Sequence, residues 1–157
     1  MQPFIGCDAH KQYSVFVSVN HQGQASRPVR VKHDRDLHRR YLDQLPPRSE
    51  IALEATGHSY GLVYEMERAG QIPYLANPLE TKKRMGGPHK TDSLDAKGLA
   101  ILLRNGTLPE SWIPPGELRD QRKALEEKNR ELAGLLELVY GELALAREKH
   151  VSIGSSF

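Results

Sequence analysis

The apolar residues of this chain change their period twice, and that change limits its fold more than any single motif does. Val15, Val17 and Val19 alternate with Ser14, Phe16 and Ser18, the two-residue repeat of a strand with both faces at least partly covered. Further on, Leu94, Leu99, Ala100, Leu102 and Leu103 fall at helical spacing. From Glu117 the character changes again. Leu118, Leu125, Leu132, Val139 and Ala146 recur every seven residues, Leu136 and Leu143 fill the interleaved positions, and Arg122 and Asn129 make the first half of that seam polar. The chain thus divides into a mixed α/β domain over residues 1–108, a linker over 109–116 with Pro114-Pro115 and the single Trp112, a heptad helix over 117–150, and a frayed tail over 151–157. The seam either packs on its own domain or pairs with another helix; a homo-oligomer through a coiled coil is the expectation.

Taken in order, Phe4 to Ala9 reads as a short strand that carries Asp8 towards its end. The valine strand follows, then turn residues Asn20-His21-Gln22-Gly23, then a third strand over Ala25 to Lys32, which together suggest an antiparallel meander. Asp34 or Asp36 caps a helix reaching about Gln44, and Pro46-Pro47 ends it. Glu50 to Glu54 is a fourth strand that delivers Glu54 at its end, Tyr60 to Ala69 a helix stopped by Gly70, and Ile72 to Ala76 a fifth strand closed by Asn77-Pro78. A polar, basic, glycine-rich stretch to His89 is expected to be mobile. The helix opened by Asp92 and ended by Asn105-Gly106 completes the order β-β-β-α-β-α-β-α.

Composition narrows the class. With 157 residues, 38% hydrophobic and 27% charged, the chain can bury a real core and is not of the disordered type. No apolar run approaches the ~20 residues that span a bilayer, so no membrane partner is expected. Met1-Gln2-Pro3-Phe4 lacks a basic segment before an apolar one, and Cys7 is the only cysteine, which together suit a reducing cytoplasm. The net charge of +2 is unevenly placed. Arg27 to Arg40 holds six basic residues against two acids, and Lys82, Lys83, Arg84, Lys90 and Lys97 form a second cluster. Such runs are solvated faces or phosphate-binding strips.

That second cluster surrounds Lys90-Thr91-Asp92-Ser93-Leu94-Asp95-Ala96. Asp92 and Asp95, three apart on a helix, can point the same way. Taken alone they read as a capping box, favoured by the helix dipole. The rest of the chain argues for more. Asp8 ends the first strand and Glu54 the fourth, and in a mixed sheet ligands favour the carboxyl ends of parallel strands. If those strands are neighbours, their carboxylates converge and the Asp92 helix can close the site. Converging carboxylates repel unless a cation neutralises them, and oxygen ligation suits Mg²⁺ or Mn²⁺. Two such ions ~4 Å apart can clamp both oxygens of a phosphodiester displacement.

Four blocks occur in order: Ile5-Gly6-Cys7-Asp8-Ala9-His10-Lys11, Leu53-Glu54-Ala55-Thr56-Gly57, Ala76-Asn77-Pro78 and Lys90 to Ala96. Together they resemble the N-terminal domain of the insertion-sequence-110 family of transposases, which includes the pilin-gene inverting recombinases. The resemblance covers roughly residues 4–104, and the heptad helix resembles the coiled coil that follows. It implies a RuvC-like, RNase H-type α/β fold, here a mixed five-stranded sheet with flanking helices, and a D-E-D-D tetrad of Asp8, Glu54, Asp92 and Asp95 that is both catalytic and metal-binding. It also implies Mg²⁺ or Mn²⁺, DNA as substrate, and a guide RNA. Lys82, Lys83, Arg84, Lys90 and Lys97 are the candidate nucleic-acid contacts. Members of the family carry a second domain with a nucleophilic serine, and nothing in this sequence matches it; Ser152, Ser155 and Ser156 sit outside any motif. The expectation is the metal-binding part of a transposase or recombinase, truncated before its nucleophile and inactive alone in recombination. The alternative is a non-catalytic RNase H-like module that binds nucleic acid or assembles through its helix. A sugar- or acetate-kinase-like ATPase would share the fold but needs Gly-rich phosphate loops that are absent.

Overall fold

The structure, a computed structural model, describes residues 2–57, 59–85 and 91–154, with residues 148–154 described by their backbone alone. Lys90 and the glycine-rich residues 86–89 lie outside the described residues, as do Ser155 and Ser156. The elements run β1 (Phe4–Ala9), β2 (Tyr13–Val19), β3 (Val29–Lys32), α1 (Arg35–Gln44), β4 (Glu50–Glu54), α2 (Ser59–Arg68), β5 (Ile72–Ala76), α3 (Pro78–Met85), α4 (Asp92–Arg104), β6 (Glu110–Ser111) and α5 (Gly116–Gly154). They fall into two units, Met1–Ile113 and Pro114–Phe157.

The first unit is built on one mixed sheet in the order β3-β2-β1-β4-β5-β6. The meander β1-β2-β3 is antiparallel, β1, β4 and β5 run parallel, and β6 returns antiparallel to β5. The two-residue period then divides the side chains. On one face Ile5, Cys7, Phe16, Ile51, Leu53 and Leu75 pack with Leu42 of α1 and with Val63 and Met66 of α2. On the other, Ala52 and Ala76 meet Leu99 and Leu103 of α4, and Val15 and Val17 meet Ala96. Each fully buried Leu, Ile or Phe contributes roughly 1.5–3 kcal/mol.

The second face is lined with small residues for a reason. Gly6 lies on β1 beneath α4, where an added Cβ would sit 1.8 Å from the carbonyl oxygen of Ala96 and 2.8 Å from the amide nitrogen of Ala100. Gly6, Ala52 and Ala76 let the helix backbone come down onto the sheet, which fixes the height of every residue α4 carries.

The observed fold is a mixed α/β arrangement consistent with an RNase H-like fold, with three departures from the sequence expectation. The sheet has six strands among the described residues, not five. Glu110–Ser111, read as linker, pairs with the end of β5 through Ala76 and Leu75; two residues are too few to show a period. The stretch expected to be mobile begins as helix α3. Asn77-Pro78 does more than close the strand: Asn77 Oδ1 accepts hydrogen bonds from the amides of Leu79 and Glu80, and Pro78 occupies the first helical position. An Asn cap followed by proline is a helix start. The third strand is also shorter than expected, with only a single bridge from Ala25 to Val19 ahead of it.

The second unit is α5, whose 39 residues make a helix ~58 Å long at 1.5 Å per residue. It runs past residue 150, where fraying was expected, to Gly154. Leu118, Leu125, Leu132, Leu136, Val139 and Leu143 are each 48–59% exposed, so the seam is open. One helix with an open seam is not a coiled coil; that requires a second helix.

Candidate metal centre

Asp8 reaches the site because β1 and β4 are parallel neighbours and both end there. The register pairs Cys7 with Leu53, so Asp8 and Glu54 come next on adjacent strands, and both share the α4 face with Gly6 and Ala52. The N-terminus of α4 lies over the same end. Its cap is Thr91, whose side-chain oxygen accepts from the Leu94 amide. This corrects the capping-box reading of Asp92. With Thr91 holding the cap, the Asp92 carboxylate is released from the helix backbone and turns to the sheet.

There it meets His10, which no spacing argument by itself marks as part of the site. His10 Nε2 lies 3.0 Å from Asp8 Oδ2 and 3.3 Å from Asp92 Oδ2. Tyr13 donates its hydroxyl to the same Asp92 oxygen at 3.0 Å. The rings of His10 and Tyr13 stack with centroids 4.7 Å apart, and the Arg30 guanidinium lies 3.5 Å above the centre of the Tyr13 ring. Asp8 and Asp92 therefore converge from positions 84 residues apart in the chain, locked by a stack of three side chains. A signal for His10 was present: two residues beyond Asp8, the strand period puts it on the same side. Nothing local pointed to Tyr13 or Arg30, which arrive through β2 and β3.

The electrostatics match a cluster of acids short of positive charge. Burial raises the Asp8 carboxyl above its ordinary pKa; contact with His10 pulls it back, and Asp95 and Asp92 push it up again. Asp95 is thus within electrostatic reach of Asp8, one turn along α4 from Asp92.

The donor set suits a divalent cation. One ligand atom each from Asp8, His10 and Asp92 all lie within 4.8 Å of one another. The edge of an octahedron with ~2.1 Å bonds is ~3.0 Å, close to the two separations at His10. Among the described residues this compact group takes in the imidazole nitrogen of His10 and, of the four acids expected from the sequence, Asp8 and Asp92 but not Glu54 or Asp95.

The basic residues are less uniform. Lys82, Lys83 and Arg84 are exposed on α3. Lys83 Nζ is held 2.7 Å from Glu80, and Arg84 donates to the carbonyl oxygen of Thr107. Lys97 is half-buried on α4. Among the described residues of this set, Lys82 is exposed and Lys97 half-buried, and neither makes an ion pair of the kind that holds Lys83.

No helix of the described residues is long and apolar enough to cross a membrane. No curated protein matches the sequence. The insertion-sequence-110 DEDD family, described as transposase, matches it over residues 5–140, which spans the sheet, α4 and most of α5. With a match over most of its length, on a chain that brings Asp8 and Asp92 together as described, this protein belongs to the insertion-sequence-110 family of DEDD transposases.

Proposed function

We propose that this chain supplies the metal-binding half of a site for cleavage and strand exchange at DNA phosphodiester bonds. The observation that carries the reading is the meeting of Asp8 and Asp92 on His10, from two segments distant in sequence. Asp8, Glu54, Asp92 and Asp95 are the acids proposed to act, with His10 as an added ligand. A divalent cation, Mg²⁺ or Mn²⁺, would supply Lewis-acid polarisation of a phosphate oxygen. The chain's own part is positional. Thr91 frees Asp92, Tyr13 orients it, the Arg30–Tyr13–His10 stack fixes the imidazole, and Gly6 sets the height of the helix. The imidazole nitrogen tilts the choice of ion towards Mn²⁺, which accepts nitrogen more readily than Mg²⁺ does.

DNA, with a guide RNA, is the proposed partner, bound through phosphate contacts of which Lys82 is the best placed. Such binding weakens steeply with salt and is indifferent to sequence. Pairing of two chains through the open seam of α5 completes the proposal. The second reading, a non-catalytic assembly module, draws on that same seam and needs no metal.

Calorimetric titration with Mn²⁺ separates the two. Wild-type chain is expected to bind Mn²⁺, and Asp8→Asn and Asp92→Asn each to abolish binding while leaving the circular dichroism spectrum unchanged. Wild-type chain that takes up no Mn²⁺, or variants that bind as well as wild type, would leave only the assembly module.

A further inference from the structure

Arg30 is a cation beside the acids whose hydrogen-bonding capacity the fold leaves unused. It lies on β3, the edge strand of the sheet, in one row with the acid cluster: Asp8 pairs with Val15 on β2, and Val15 pairs with Arg30. Residues paired directly across strands share a face, so Asp8 and Arg30 stand on the α4 face with their backbones roughly 10 Å apart, two strand spacings. Lys32 follows on that face, paired with Tyr13. Between the sheet edge and the start of α4 opens a shallow cleft of about 480 Å³, lined by Val15, Pro28, Arg30, Thr91, Asp92 and Ser93. The cation borders this opening from the sheet and the acid borders it from the helix.

The guanidinium is fixed by the face of the Tyr13 ring, 3.5 Å from its centre. A guanidinium held by its face keeps the N–H groups on its edges for a forked acceptor, a carboxylate or a phosphate. Among the described residues the Arg30 side chain forms neither a hydrogen bond nor an ion pair. The carboxylates of the cluster are held instead by His10 and Tyr13. Arg27 and Lys32 are exposed on either side of Arg30, and residues 27–32 contain no acid. Three cations in line, with no acid among them, match a row of phosphates better than a single carboxylate.

We propose that β3 is a phosphate-binding edge at the mouth of the metal centre. Arg30 holds, through two N–H groups, a backbone phosphate close to the one that faces the acids, and Arg27 and Lys32 hold further phosphates of the same strand. The nucleic acid thus reaches the acids across the open edge of the sheet, over β3 and β2, in addition to any contact on α3. Tyr13 serves both places, with its ring under Arg30 and its hydroxyl on Asp92. The proposal rests on the reading that the acids face a phosphodiester, and it gives that site its path of approach.

The test is fluorescence anisotropy of the whole chain with a short labelled DNA strand and with its RNA counterpart, in EDTA, over a range of salt. Arg30→Gln should weaken binding about tenfold at low salt, and the fall of log affinity with log salt should become shallower by ~0.7. Arg30→Lys keeps the charge without the fork, so it should keep the slope and lose part of the affinity. Lys32→Gln should lower the slope by the same step; Lys32 is exposed, so this variant tests the edge even if Arg30→Gln fails to fold. Arg40→Gln makes the same change in net charge on α1, which covers the other face of the sheet, and should alter neither affinity nor slope. The nucleic acid that loses more at Arg30 is the one that passes over β3. Unchanged slopes for Arg30→Gln and Lys32→Gln with both nucleic acids, or losses no larger than that of Arg40→Gln, would overturn the proposal. Because metals are chelated, such a failure with Mn²⁺ binding intact removes only the β3 path. Failure of Mn²⁺ binding leaves the slopes to stand by themselves.

Discussion

Replacing Gly6 by alanine should damage the fold and the acid cluster together, through one contact. The new methyl would lie 1.8 Å from the Ala96 carbonyl oxygen, where ordinary van der Waals contact begins at 3.4 Å. The obstacle is helix backbone, so no rotamer change relieves it, and α4 must lift by ~1.5 Å. Overpacking costs typically 1–3 kcal/mol, and an immovable neighbour places this case near ~3 kcal/mol. In a unit of about 113 residues each kcal/mol moves the melting temperature by about 4–8 °C, so the loss should be ~10–20 °C. The same lift carries Asp92, one turn away on α4, off its 3.3 Å contact with His10. Mn²⁺ affinity should then fall roughly 10–100-fold, as when ligand-positioning contacts are lost. Gly134→Ala on α5 is the control: its Cβ meets nothing within 4 Å, and it should stabilise the helix by about 1 kcal/mol. The measurements are thermal unfolding by circular dichroism and Mn²⁺ calorimetry. A Gly6→Ala chain that melts within ~2 °C of wild type and binds Mn²⁺ equally well would refute the close approach of helix and sheet.

Three further outcomes are expected. Because the folded state raises the Asp8 pKa above 3.8, its contribution to stability is full below that value and is lost as pH rises through the raised one; in EDTA, urea midpoints of Asp8→Asn should therefore fall less with rising pH than those of wild type, and parallel curves would contradict the linkage. Burial pushes the Cys7 thiol up to about 12, with Asp8 adding and a hydrogen bond from Ser14 opposing, so native chain should react with a disulfide reagent only as fast as it unfolds; rapid stoichiometric labelling would show the thiol to be accessible. Leu132→Asp combined with Leu136→Asp should convert an α5-paired oligomer to monomer by light scattering, whereas wild-type chain already monomeric at high concentration would rule the pairing out.

What could be read along the chain was whatever repeats locally. The period-two valines of β2, the apolar runs of β1, β4 and β5, and the heptads of α5 each show their type within a few residues, because side-chain spacing follows backbone geometry. The acids at strand ends were legible for the same reason, since a strand that stops at Asp8 or Glu54 must present it there. The partner of each acid was not legible. That His10 bridges Asp8 and Asp92, that Tyr13 holds Asp92 and that Arg30 covers Tyr13 depend on β2 and β3 folding back beside β1, a matter of register and not of spacing. Nor does the sequence state that Thr91 rather than Asp92 caps α4. Both are good capping residues, and only the structure shows the Thr91 side-chain oxygen accepting from the Leu94 amide. Asn77-Pro78 allows strand closure and helix start alike, and β6 is too short to carry a pattern. The burial of His38 Nε2 without a hydrogen-bond partner is tertiary throughout: α1 alone would present an ordinary histidine, and only the closing of Phe16, His33 and α2 around it withdraws the water that would otherwise have satisfied it.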